Sequence, residues 1–166
     1  TFVERAEAIH SGSVSPDKDN MLKVCHDGKL LAMDVRLLDP YAVPAPDCKL
    51  NKCVDNVFKI YSEKPGIQVI FSDIGVPGSN DEFSVYGYIK DELVKKGVPA
   101  DEICFIHDAK NDKTRDAMFE DLRNATKRII LGSTMKMGTG TNIQRQMVAM
   151  HELDVPWRPS DVEQRE

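Results

Sequence analysis

Arg128-Ile129-Ile130-Leu131-Gly132-Ser133-Thr134-Met135-Lys136-Met137-Gly138-Thr139-Gly140-Thr141-Asn142 changes character at Gly132. The part before the glycine is a short, continuous apolar run, the pattern of a strand covered on both faces. The part after it is small, hydroxylated and glycine-containing. Gly138 and Gly140 allow a backbone to approach another group closely. Free N–H groups in such a loop, with the hydroxyls of Ser133, Thr134, Thr139 and Thr141, form a nest for an anion, and phosphate is the natural guest. A plain tight turn between strand and helix has equal standing on these residues alone. No GxxxxGK[ST] string occurs anywhere in the chain, so the loop that ordinarily cradles β- and γ-phosphates is missing from this sequence.

Three similar runs flank this one. Ile67-Gln68-Val69-Ile70-Phe71, Ile103-Cys104-Phe105-Ile106 and Met147-Val148-Ala149-Met150 read as further strands. Between them lie helical patterns. Leu50, Cys53, Val54, Val57, Phe58 and Tyr61 share one helix face until Pro65-Gly66 ends it. Val85, Ile89 and Leu93 mark a second helix, with Gly97 suited to its end. Residues 112–124 make a charged helix with Met118, Phe119 and Leu122 inward. Strands alternating with amphipathic helices imply an α/β fold with a mainly parallel sheet covered on both faces. Such sheets place ligands at the carboxyl ends of their strands. The loops after residues 71, 106, 131 and 151 are therefore the candidates.

Residues 1–47 read differently. Phe2, Ala6 and Ile9 have helical spacing, residues 20–38 lean helical, and Pro40, Pro44 and Pro46 force a loop over 39–47. This stretch is expected to be an N-terminal helical and irregular extension or an inter-lobe linker, with residues 48–166 forming the main lobe.

Composition narrows the classes. The 166 residues are 41% apolar and 30% charged, enough for one buried core. No run approaches the roughly 20 apolar residues of a membrane-crossing helix. The balance of 22 basic and 27 acidic residues, net −5, excludes a generally basic nucleic-acid coat and leaves room for a local basic face. The four cysteines at 25, 48, 53 and 104 form no CxxC pair, so they read as reduced thiols of a cytoplasmic domain. The start, Thr1-Phe2-Val3-Glu4-Arg5, has no leader pattern and no Met. Ser160 and Glu163 form a capping box for a helix from 161 that is cut short at Glu166, so the sequence reads as a piece of a longer protein.

Several strings together resemble a known family. Ser133-Thr134 with Gly138-Thr139-Gly140-Thr141-Asn142-Ile143-Gln144 looks like motif V of superfamily 2 helicases. Asp154 with Trp157-Arg158-Pro159-Ser160 and Gln164-Arg165-Glu166 looks like the approach to and opening of motif VI, most similar to the Swi/Snf-like branch. Val69-Ile70-Phe71-Ser72-Asp73 resembles the motif IV strand. Ile106-His107-Asp108-Ala109 and the MGTGTN loop resemble the helicase parts of phage- and plasmid-borne proteins that often carry an adenine-specific DNA methyltransferase. The resemblance covers about residues 48–166. It implies a RecA-like three-layer lobe, the second of two, working on DNA with ATP and Mg2+ beside an N-terminal RecA-like lobe.

On that resemblance Gly138, Gly140, Asn142 and Gln164 fall on the ATP side, and Ser133, Thr134 and Thr139 on the nucleic-acid side. Ser72, at a strand end, and Lys136, inside the motif V-like loop, join the latter as phosphate contacts. The family's motif VI arginines would follow Glu166, and Arg165 occupies a variable position of the motif. His107 and Asp108 read as strand-end polarity or a nucleic-acid contact rather than a catalytic dyad. Lys110, Lys113 and Arg115 read as a backbone track or a solvated face, and Lys127 and Arg128 as surface residues. Trp157 reads as packing between prolines rather than a base-stacking platform, and the methionines as core filling. The loop Gly75–Asp81 reads as an interface within the parent protein. Two other functions stay open: a Rossmann-like nucleotide-binding enzyme, and a degenerate lobe that only docks proteins.

Overall fold

The computed structural model describes residues 1–77, 83–137, 143–156, 160 and 165. The described elements are α1 (Phe2–His10), α2 (Met21–Met33), α3 (Lys49–Glu63), β1 (Ile67–Phe71), α4 (Val85–Lys95), β2 (Ile103–Phe105), α5 (Asp112–Arg123), β3 (Ile129–Gly132), α6 (Thr134–Met137) and β4 (Met147–Glu152). Four strands form one sheet in the order β2-β3-β1-β4, and every pairing is parallel.

Alternation along the strands divides the core in two. Ile70, Ile103, Ile129 and Leu131 face the side covered by α3 and α4, where Leu50, Val57, Tyr86, Ile89 and Leu93 are buried. Val69, Phe71, Cys104 and Ile130 face the other side, closed by Phe119 and Leu122 of α5 with Met137 and Ile143. Adjacent strand residues point to opposite faces, so an unbroken apolar run is what a three-layer sandwich requires. This is the expected α/β architecture, consistent with a RecA-like lobe.

Two strand ends differ from the sequence reading. β2 stops at Phe105, and Ile106–Asp108 turn as a 3-10 helix. The turn drives Ile106 into the second core, where it is 2% exposed. β4 runs on to Glu152, pairing Phe71 with Glu152. Met21 and Met135 are exceptions among the methionines, 48% and 90% exposed, and the four-residue α6 buries only Thr134 and Met137.

The first 47 residues rest on the lobe. Arg5 grips Asp19 and Asp27 to hold α1 against α2. Met33 enters the first core, and buried Asp34 pairs with Arg36, whose guanidinium lies over the rings of Phe83 and Tyr88 at 4.2 and 4.1 Å.

Within β1 the buried amide of Gln68 donates to Val57 O at 3.0 Å, so its oxygen faces His151 Nε2, also at 3.0 Å. That geometry places the proton of a neutral His151 on Nε2. Burial lowers the His151 pKa below its ordinary value. The folded state thus holds a neutral imidazole, while the unfolded chain takes up a proton near the ordinary value of about 6.5. Below that pH the unfolded state binds more protons, and stability falls.

Two measurements follow from this packing. Urea midpoints should drop as pH is lowered through about 6.5 toward the lowered folded value, and His151→Gln should make that drop shallower. A Cβ at Gly132 would overlap Met137 Sδ and lie 2.9 Å from Ile106 Cγ2. Gly132→Ala should therefore destabilise the chain by about 1–3 kcal/mol, read as a lower urea midpoint at unchanged slope.

Candidate motor-lobe site

β3, β1 and β4 lie side by side, so the loops that leave their carboxyl ends are neighbours. One residue joins them. The Arg165 side chain has no exposed surface. Its Nε and Nη2 donate to Thr134 Oγ1, just beyond β3, at 2.9 and 2.7 Å. Nη2 also meets Asp73 Oδ2, beyond β1, and Asp154 Oδ1, beyond β4, both at 2.9 Å. Nη1 donates to Asp154 O at 2.8 Å, with Glu152 at 3.8 Å. The guanidinium carbon sits 5.1 Å from the centre of the Phe71 ring.

The carboxylates have second tasks. Asp154 Oδ2 accepts the N–H groups of Asp73 and Ile74 at 2.6 and 3.0 Å, which shapes the loop after β1. Asp73 Oδ1 accepts the Thr134 N–H, and its Oδ2 accepts the Thr134 hydroxyl proton, each at 2.7 Å. The hydroxyl therefore gives its one proton to Asp73 and receives from Arg165. Tyr86, inside the fold, donates to Ser72 O at 2.6 Å. Its phenol pKa is pushed up by burial and further by Asp73 and Asp154.

The candidate residues fall into three groups. Ser72, Ser133 and Thr134 are buried. Ser72 Oγ donates to Ile74 O at 2.8 Å, and the Thr134 hydroxyl is taken up by Asp73 and Arg165, so these two side chains shape the loops from within. Lys136 is exposed on α6. Gly138, Thr139, Gly140, Asn142 and Gln164, together with Trp157 and the tip of the 75–81 loop, lie outside the described residues. His107 stands at the end of β2, its ring 5.5 Å from that of Tyr86 and its buried Nδ1 without a partner among the described residues. Burial, and then the charge of Lys136, lower its pKa.

Asp73, Asp154 and Arg165 are the residues sequence reasoning missed as a group. Each stood inside a string quoted for another purpose, and nothing in their spacing showed that they converge.

Residues 80–166 match the helicase conserved C-terminal domain. The chain belongs to that family. It is accordingly a helicase-type motor lobe, of a class that is generally ATP-dependent and works with nucleic acid and a partner lobe. The matched region begins after β1, although β1 is an inner strand of the sheet and supplies Asp73 to the Arg165 cluster. No curated protein matches the chain. Among the described residues no helix is long and apolar enough to cross a membrane.

Breaking a buried charge cluster from one side strands its partners. Arg165→Met should cost about 3–5 kcal/mol in chemical denaturation, because Asp154, 9% exposed, loses its cation. Arg165→Lys should recover only part of this, since an ammonium cannot replace the planar fork that spans three loops.

Proposed function

We propose that this chain is the second motor lobe of an ATP-dependent DNA helicase or translocase of the Swi/Snf-like branch. The observation that carries the reading is the direct bond between the motif V-like and motif VI-like strings: the Thr134 hydroxyl accepts from Arg165. Movement of the loop that would touch nucleic acid is thereby tied to the segment that would complete the ATP site. In this reading Gly138, Gly140, Asn142 and Gln164 serve ATP, and Thr139 and Lys136 meet the phosphate backbone without reading bases. Ser72, Ser133 and Thr134 hold the loops from behind, which fits their burial.

ATP with Mg2+ would act in a protein that carries both lobes. Among the described residues no group of three His, Cys, Asp or Glu side chains could hold a metal, and Asp73 and Asp154 are already engaged by Arg165. DNA as the track, an attached adenine-specific methyltransferase domain and a cytoplasmic location rest on the resemblance of the MGTGTN and IHDA strings and on the reduced-thiol pattern. All four cysteines are free, and burial pushes Cys53 and Cys104 up to about 12, so these two thiols are unreactive.

The test is ATP hydrolysis by the two-lobe protein with and without double-stranded DNA. Stimulation should collapse toward the basal rate in Asn142→Ala. Lys136→Ala should retain basal turnover and reduce the slope of log K against log salt for duplex binding by about 0.9. The 166-residue chain alone should not turn over ATP. Stimulation intact in Asn142→Ala removes that residue from the site. Absence of hydrolysis by the two-lobe protein overturns the motor reading.

A further inference from the structure

The amino ends of the strands, opposite the Arg165 cluster, carry a recess of about 310 Å³. It lies between the Pro65-Gly66 turn before β1, residues 125–128 before β3 and the opening of β4. Ile67, Met147 and Val148 supply apolar wall, Lys127, Arg128 and Arg145 supply charge, and no carboxylate lines it. On a chain of net charge −5 this is a local reversal of sign.

The cationic side is held in place but not neutralised. Arg128 lies over the Tyr61 ring at 4.0 Å, and its Nη2 donates to Tyr61 O and Lys64 O at 3.0 and 2.8 Å. Carbonyls fix the guanidinium and leave its charge intact. Its buried Nε has no partner among the described residues. Lys127 Nζ likewise donates to a carbonyl, Asp101 O, at 3.1 Å. Among the described residues none of the three cations is in an ion pair. The neighbouring carboxylate, Glu102, accepts the Tyr61 hydroxyl at 2.9 Å. Gly66, at φ +143°, lets the turn close on Val148, whose side chain a Cβ there would overlap.

A fixed guanidinium, two further cations and an apolar wall select an anion attached to a flat apolar body. Phosphate fits the charge, since a guanidinium fork matches its oxygens. The volume sits at the lower end of the range for small-ligand sites. We propose that this recess binds a small organic phosphate of nucleoside-monophosphate size, the phosphate on Lys127, Arg128 and Arg145 and the base against Met147 and Val148. This site is separate from the proposed motor site and does not depend on that reading.

The probe is adenosine monophosphate, with adenosine and inorganic phosphate as its two halves, followed by amide chemical shifts of the 166-residue chain. Adenosine monophosphate should give saturable shifts at Gly66, Ile67 and Val148, and each half should bind more weakly. Lys127→Glu with Arg145→Glu, which leaves the stacked Arg128 in place, should weaken binding by about tenfold or more at an unchanged urea midpoint. Shifts confined to carboxyl-edge amides such as Lys136, equal affinity in the double variant, or no saturable shift would overturn the site.

Discussion

A guanidinium without exposed surface cannot exist unpaired, and Arg165 is such a group. Its solution is to draw one partner from each of three loops: Asp73 after β1, Thr134 after β3 and Asp154 after β4. The requirement runs both ways, since Asp154 also holds the backbone of Asp73 and Ile74. The carboxyl edge of the sheet is thus a single hydrogen-bonded unit rather than three independent loops. Buried polar networks of this kind hold one arrangement well when every member is satisfied, and poorly when one is missing.

Only the strand order makes the unit possible. Neighbouring strands lie about 4.8 Å apart, so the ends of β3, β1 and β4 span roughly 10 Å. A guanidinium approached by side chains from either side bridges that distance. Had β1 been at an edge, one of the three partners would have been out of reach. The register that aligns those ends is fixed by burial on both faces, because a slip of one residue would exchange Ile70 for Val69 between the two cores. Gln68 adds a polar pin, bonded to Val57 in α3 and to His151 in β4.

Periodicity carried most of the architecture into the sequence. The α3 face from Leu50 to Tyr61, the buried triad of α4 and the apolar run of β3 were legible because one physical rule, burial of one face or both, produced each of them. The end of β2 was not, since Ile106 is apolar whether it extends a strand or turns inward as a 3-10 residue. Ser72 illustrates a different failure. A serine at a strand end has the same sequence signature whether it meets solvent or donates to Ile74 O inside the loop. Asp73, Asp154 and Arg165 were invisible as a group because single polar residues in loops are ordinary, and only the sheet order brings these three together. The cationic recess was hidden for the same reason: Arg128 read as a surface residue, yet Tyr61, 67 positions earlier, stacks on it.

The Thr134 hydroxyl sets how the edge can respond to load. It has one proton, given to Asp73, and its oxygen accepts twice from Arg165. Shifting the loop that begins at Ser133 by even an ångström or so would lengthen all three bonds together, in a site too buried for water to compensate. Such a site does not yield gradually. Any displacement there also strains the Asp73 and Asp154 loops, because the same guanidinium holds both. In the proposed motor, a loop engaged on a phosphate backbone through Lys136 would bear on residue 165 through the 2.7 Å bond at Thr134.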